Sequence, residues 1–324
     1  MPTIDTVRGP ISIEQLGTVL PHEHIFTKNP EIEQNWPSPE WDGDEVMIDR
    51  AATILNELKE LGIDSIVDLT VPGLGRNIPL IQRVAAKTDV NIIVGTGYYI
   101  FDALPTFFKT HSPEGHLGVK DPLADLFIRD ITEGIAETGV KASIIKVATD
   151  TPGITPDVER VLAAAAEAHR QTGAPITTHT HADEFRGRDQ QEYFRKQGIP
   201  LEHVLIGHCG DSTDIAYLRE LMDNGSPLGL DRFGMEIMLE DEKRIETTVQ
   251  LIELGYADKL TLSHDAGIFS VNLPPSYRSS VMPNWHHKRI SQDILPALSE
   301  RGVSDADIHQ ITVLNPARLL AGAR

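Results

Sequence analysis

Strand-like and helix-like patterns alternate along the whole chain, and this alternation limits the fold more than any other feature. Short β-branched, apolar runs fall near 19–24, 64–70, 91–97, 142–148, 175–180, 203–208, 227–232 and 259–264. Being apolar on both faces, they have the pattern of parallel strands covered by helices. Amphipathic stretches near 45–61, 77–87, 122–138, 156–172, 188–197, 213–224, 240–254 and 286–301 separate them. Gly62, Gly139, Gly173, Gly198, Gly225, Gly255 and Gly302 stand where helix C-caps would. Eight strand–helix units predict an α/β fold, a closed (β/α)8 TIM barrel, occupying 1–324 as a single domain. A short N-terminal strand pair turning at Arg8-Gly9-Pro10 would precede it. No Gly-rich G-x-G-x-x-G loop follows the first strand, which weighs against a dinucleotide-binding sheet.

In a parallel barrel the residues that end the strands build the functional face. Here those ends carry His22, His24, Lys146, His179, His208 and Asp265. In Val19-Leu20-Pro21-His22-Glu23-His24, alternation puts both histidines on one face and Glu23 on the other. Two imidazoles so placed can chelate a divalent cation, or they can be structural. Parity groups His208 with Val204 and Ile206, and Asp265 with Thr261 and Ser263. His203 and His264 fall on the opposite faces and are expected to be packed rather than ligating. His181 shares the parity of His179 but lies past the apolar run. His111, His116, His169, His286, His287 and His309 sit in expected loops or helices and read as surface residues.

Lys146 is the unusual member of the set, because a buried lysine among cations is driven neutral. It could be a Schiff-base nucleophile, as in barrel aldolases, or a structural lysine paired with an acid such as Asp150. It could also take up carbon dioxide to give a carbamate, turning a cation into an anionic bridge. The neighbouring histidines and aspartate favour the carbamate.

Bulk composition removes several function classes. The 48 acidic and 29 basic residues give a formal charge of −19, which opposes binding to nucleic acid or an anionic membrane. Cys209 is the single cysteine, so no intramolecular disulfide is available. The first residues lack a basic segment leading into an apolar core, and no apolar run approaches the roughly 20 residues of a spanning helix. A cytoplasmic location is expected.

The set His22-x-His24, Lys146, His179, His208 and Ser263-His264-Asp265 resembles the binuclear metal site of the amidohydrolase superfamily. The chain around it is similar to the phosphotriesterase-like lactonases over essentially its whole length. The matching segments are Thr6-Val7-Arg8-Gly9-Pro10, Leu20-Pro21-His22-Glu23-His24, Gly95-Thr96-Gly97, Ile206-Gly207-His208, Gly229-Leu230-Asp231-Arg232 and Asn315-Pro316-Ala317-Arg318. The resemblance implies two divalent metal ions, zinc first, with cobalt, iron or manganese as alternatives. His22, His24 and Asp265 would bind the more buried metal, His179 and His208 the more exposed one, and carbamylated Lys146 would bridge them. It further implies a hydroxide shared by the metals as nucleophile, with Asp265 accepting its proton. Tyr99 matches the tyrosine that faces the metals in these lactonases, with Tyr98 competing for that role, and Arg232 matches an arginine near the scissile group. A homodimer is implied as well.

The stretch after Asp265 sets the substrate expectation. Phe269, Val271, Leu273, Met282 and Trp285 could line a groove for an acyl chain, or pack on the barrel or a second subunit. The segment after Arg232 is short, which in the resemblance favours lactonases over dedicated organophosphate hydrolases. The expected activity is hydrolysis of N-acyl-homoserine lactones, the chemistry of quorum quenching, with phosphotriesterase side activity. A phosphotriesterase or other superfamily hydrolase, a metal-binding barrel without turnover, and a Schiff-base aldolase using Lys146 are the alternatives.

Overall fold

A computed structural model describes residues 3–322. β1 (Thr3–Thr6) and β2 (Gly9–Ser12) form the antiparallel pair expected at the N-terminus, with Thr6 opposite Gly9. The eight expected strands follow as β3 (Val19–Thr27), β4 (Ser65–Asp68), β5 (Asn91–Gly97), β6 (Ile144–Thr149), β7 (Ile176–Thr180), β8 (Val204–Leu205), β9 (Leu228–Leu230) and β10 (Leu260–Leu262). β11 (Gly267–Ser270) was not expected. It lies in what read as a loop and pairs in parallel with β3, Gly267 opposite His24 and Phe269 opposite Phe26. Between the strands run Asp44–Glu60, Ile78–Ala85, Leu123–Thr132, Pro156–Thr172, Arg186–Lys196, Ile215–Asp223 and Asp241–Glu253. The helix expected at 286–301 starts only at Ile290, with a wide turn at Ile290–Ile294.

The strands close into a parallel (β/α)8 barrel. β3 to β8 pair in sequence order, β9 pairs with β10, and an Ile206–Leu228 bridge joins the two groups. The ring shuts between β10 and β3, where the Asp265 N–H donates to His22 O (3.0 Å) and the His22 N–H to Ser263 Oγ (2.9 Å). β8 is shorter than its apolar run, and beyond it side chains replace part of the ladder with β7. Thr180 Oγ1 donates to Gly207 O (2.7 Å), and the Gly207 N–H donates to Thr178 Oγ1 (3.2 Å).

Alternation divides each strand between floor and jacket. Val19, Val67, Ile93, Ile144 and Leu205 point inward and pack with Ile4, Leu16, Leu319 and Leu320. The N-terminal segment and the last helix thus plug the floor. Leu20, Ile66, Ile92, Ile145, Ile176, Val204, Ile206 and Leu260 join the larger cluster against the helices. Continued inward, the same parity leads to Lys146, His179 and Asp265. It does not lead to His22 or His208. Leu20 faces the jacket, and a register shift between Leu20 and Glu23 rotates His22 inward. Val204 and Ile206 also face the jacket, and His208 turns inward by adopting a left-handed backbone, φ 58°.

Gly97 shows how close the strands come at the functional end. It has φ 127°, lies opposite Lys146, and a Cβ there would sit 1.9 Å from Lys146 O. At Gly95 a Cβ would make only ordinary contacts near 3.4 Å with Leu69 and Val71. Gly97→Ala is expected to cost about 3 kcal/mol or more from combined strain and overlap. Gly95→Ala should cost much less, and denaturant midpoints of the two variants check the difference.

Candidate metal centre

Four imidazoles, one amine and one carboxylate meet at the C-terminal ends of the strands. His22, Lys146 and His208 are each about 1% exposed. Asp265 Oδ1 lies 3.2 Å from His24 Nε2 and 3.3 Å from His22 Nε2. Lys146 Nζ is 3.0 Å from His22 Nε2, and His208 Nε2 is 2.9 Å from His179 Nδ1.

The outer nitrogen of every ring is held by an oxygen. His22 Nδ1 meets Asp231 Oδ2 at 2.6 Å, and His208 Nδ1 meets Asp231 Oδ1 at 2.8 Å. His24 Nδ1 faces Thr70 Oγ1 at 2.8 Å, and His179 Nε2 faces Asp150 Oδ2 at 2.6 Å. A carboxylate accepts only, so it draws the imidazole proton to the outer nitrogen and leaves the inner one a lone pair. In that state His208 Nε2 and His179 Nδ1 present lone pairs to each other at 2.9 Å, which suits a cation between them. His22, His24 and Asp265 form a second group whose ligand atoms lie within 4.8 Å of one another. Asp231 also falls within such a distance of His22 and His208, but its oxygens are committed to their Nδ1 atoms and to the His208 N–H (2.7 Å). The donor set therefore fits metal cations.

Electrostatics push the groups the same way. Burial, and then Lys146, lowers the His22 pKa, and burial brings His179 down to about 4. Burial and Arg232 hold His208 well below the ordinary histidine value. Neutral rings are what a metal needs. Burial likewise brings Lys146 down to about 8. Burial alone would raise the Asp265 carboxyl, but His22, His208 and the His24 hydrogen bond hold it well below the ordinary carboxylate range.

Above these atoms lies a cavity of about 350 Å³ whose walls include Leu74, Tyr99, Phe101, Arg232, Met235, Leu273 and Trp285. Tyr99 Oη is 3.2 Å from His179 Nδ1. Arg232 donates from Nε to Asp265 Oδ2 (3.1 Å) and from Nη1 to Asp211 Oδ2 (2.8 Å). Asp211 in turn accepts from the buried Arg244.

The phosphotriesterase family model matches residues 2–320. The chain belongs to the phosphotriesterase family. Its members are binuclear metal enzymes, and the protein is a hydrolase of that kind. An aryldialkylphosphatase from Saccharolobus solfataricus is 38% identical over 316 residues, covering 96% of this chain and 97% of the relative. The solved structure of the phosphotriesterase from Mycobacterium tuberculosis is 48% identical, with a TM-score of 0.96 and 98% of each chain covered. A third relative is a structure from engineering organophosphate hydrolysis out of a weak promiscuous lactonase template. It is 33% identical, with a TM-score of 0.88, covering 98% of this chain and 99% of that one.

Against this phosphotriesterase-family centre, all six strand-end residues converge, and Tyr99, Arg232, Leu273 and Trp285 line the cavity. Four expected cavity residues lie elsewhere. Tyr98 turns to the jacket and stacks edge-on against Phe108 (5.0 Å), because the neighbour of an inward Tyr99 faces out. Phe269 is fully buried against Trp41, and Val271 packs on the same core, because β11 makes this segment a strand rather than a loop. Met282 is buried with Met235 and Trp285. His264 is packed as expected, held by Glu23 and the Ile290 N–H. His203 lies at the foot of β8, beside His169. His169 and His287 were expected at the surface but are buried, His169 on Ala174 O and His287 beside Glu23. Asp150 pairs with His179 rather than Lys146. Among the described residues, no helix is long and apolar enough to cross a membrane.

Asp231, the shared acceptor behind His22 and His208, was given no role by the sequence reading. Its position next to Arg232 at a strand end was the available signal. Asp231→Asn leaves one acceptor oxygen for two Nδ1–H groups and turns an NH₂ toward the other. Metal retention against a competing chelator is expected to fall about 10- to 100-fold.

Proposed function

We propose that this hydrolase opens the ester bond of lactones, N-acyl-homoserine lactones first among them, and hydrolyses phosphotriesters more weakly. The observation carrying this reading is the pairing of Tyr99 and Arg232 over the ligand atoms, with Phe101, Met235, Leu273 and Trp285 as apolar walls. Such a mouth suits an apolar chain attached to one polar, hydrolysable ring. The relative derived from a weak promiscuous lactonase template supports it, as does the short segment between Arg232 and the helix Asp241–Glu253.

Two divalent cations bound here, zinc in the first instance, would acidify a water and polarise the scissile carbonyl or phosphoryl group. His22, His24 and Asp265 would hold one, and His179 and His208 the other. Lys146 would lie between them as a carbamate, its Nζ bonding the carbon of carbon dioxide and releasing one proton. Asp265, kept ionised, accepts the proton of the attacking water at a carboxylate oxygen. Burial and the Asp265 charge raise the Tyr99 pKa, so its hydroxyl stays a donor that can orient the lactone. Burial would lower the Arg232 pKa, but Asp211 and Asp265 raise it, so the guanidinium stays charged. With Nε and Nη1 engaged, Nη2 has no partner among the described residues and is left for the substrate.

The relative named aryldialkylphosphatase favours a second reading, phosphotriester hydrolysis as the main activity. The same residues serve both readings. A pH-stat screen of γ- and δ-lactones of increasing acyl length against a nitrophenyl phosphotriester separates them. Lactone kcat/KM is expected to lead by about tenfold or more and to rise with chain length. The reverse order would make the protein a phosphotriesterase. Asp265→Asn should lower kcat by about 10²- to 10⁴-fold on either substrate, and unchanged turnover would remove the proposed proton acceptor.

Carbamylation needs the neutral amine, and the neutral fraction of Lys146 grows as pH rises through about 8, well below the range of an exposed lysine. Metal-free protein given zinc should therefore regain activity faster with added bicarbonate. At a fixed concentration of dissolved carbon dioxide the rate should climb between pH 7 and 9 by about tenfold, and a Lys146→Met variant should show no such dependence.

A further inference from the structure

Asp265 does its work from an unusual backbone. Its φ is 55°, a left-handed conformation that side-chain-bearing residues rarely adopt. Nothing in its own side chain enforces this, since the carboxylate faces His22, His24 and Arg232. The enforcement comes from the opposite side of β3. Glu23, between the two ligating histidines, points away from the cavity and is fully buried. Its Oε1 accepts from the His264 N–H (2.9 Å), from His264 Nδ1 (2.7 Å) and from Ser263 Oγ (3.0 Å). Its Oε2 accepts from the Ala266 N–H (3.2 Å).

Two of these donors are the backbone N–H groups on either side of Asp265. The Asp265 N–H itself donates to His22 O (3.0 Å). Three successive N–H groups are thus fixed, the outer two by one carboxylate. The His264 ring is fixed as well. Its Nε2 accepts from the Ile290 N–H (2.9 Å), so Nδ1 carries the proton and must donate to Glu23. Every group facing Glu23 is a donor, and only an ionised carboxylate has acceptors enough for all of them.

We propose that Glu23 is a positioning residue for Asp265. By clamping the His264 and Ala266 N–H groups, it holds the Asp265 backbone left-handed and so aims its carboxylate at His22, His24 and Arg232. The carboxylate never meets substrate and acts wholly through Asp265. This rests on the proposed role of Asp265 as proton acceptor and metal ligand, and it assigns to the middle residue of His22-Glu23-His24 a part in turnover rather than in packing alone.

A double-mutant cycle tests it in the metal-loaded protein, on whichever of a γ-lactone or a nitrophenyl phosphotriester is turned over faster. Glu23→Gln keeps the shape but sets an NH₂ against backbone donors. It is expected to lower kcat by about 10- to 100-fold, with KM changed less than about twofold, and to speed zinc loss to a chelator. In an Asp265→Asn background the same substitution should change kcat by less than about twofold, because the residue it positions has lost its function. Equal losses in both backgrounds would overturn the proposal, since Glu23 would then act through general stability, as would full activity in Glu23→Gln. Should Glu23→Gln fail to fold, Glu23→Asp carries the same cycle with the charge retained and the reach shortened. Its loss should likewise vanish beside Asp265→Asn. If Asp265→Asn alone leaves turnover unchanged, it is the proton-acceptor reading that fails, while chelator-driven zinc loss in Glu23→Gln still reports on the clamp.

Discussion

The buried Asp231 carboxylate is the interaction on which the metal-binding face depends. One oxygen holds Nδ1 of His22, at the first barrel strand, and the other holds Nδ1 and the backbone N–H of His208, which follows the sixth. Burial alone would raise the Asp231 carboxyl, but His22 and Lys146 bring it below the usual value. A charged acceptor there decides two tautomers at once and leaves both inner nitrogens with lone pairs facing the centre. An apolar or neutral side chain would leave two buried N–H groups without a strong acceptor and the rings free to turn.

A row of alternating charges extends from this face toward the helix Asp241–Glu253, through Asp265, Arg232, Asp211 and Arg244. Arg244 is 1% exposed and also donates to Leu239 O and Met235 O, so the segment that presents Met235 to the cavity is anchored from below. Asp241 adds a second anchor, accepting from the Gly234 N–H at 2.8 Å. Buried ions are costly singly, and this row is tolerated because each member faces the opposite charge. Arg232 is thereby fixed at the cavity without spending its whole guanidinium on protein partners.

Much of this was legible in the sequence, for a physical reason. A strand buried on both faces must be apolar, so a Lys146 or a His179 at the end of such a run is conspicuous, and period-two alternation assigns its face. The alternation failed where the backbone leaves the strand. His22 would face the helices but for the register shift after Leu20, and His208 would follow Val204 and Ile206 outward but for its left-handed φ. Phe269 and Val271 were misplaced because β11 forms only by pairing with β3, a contact between segments more than 200 residues apart that local pattern does not carry. The oxygens behind the rings were harder still. Asp150 was legible only as a partner for Lys146 and Asp231 only as the neighbour of Arg232, because their role shows once the imidazoles they orient have positions.

The two proposed ligands with left-handed backbones, His208 and Asp265, share one solution. Each departure from the strand exposes backbone N–H groups that the ladder no longer satisfies, at a depth where water cannot replace it. In each case a buried carboxylate takes them up: Asp231 accepts from the His208 N–H, and Glu23 accepts from the N–H groups beside Asp265. Both carboxylates also hold an imidazole Nδ1, of His208 and of His264. Strain at each of these two positions is thus held in place by a charge that simultaneously fixes an imidazole ring, so the backbone geometry and the protonation pattern of the centre are set by the same two side chains.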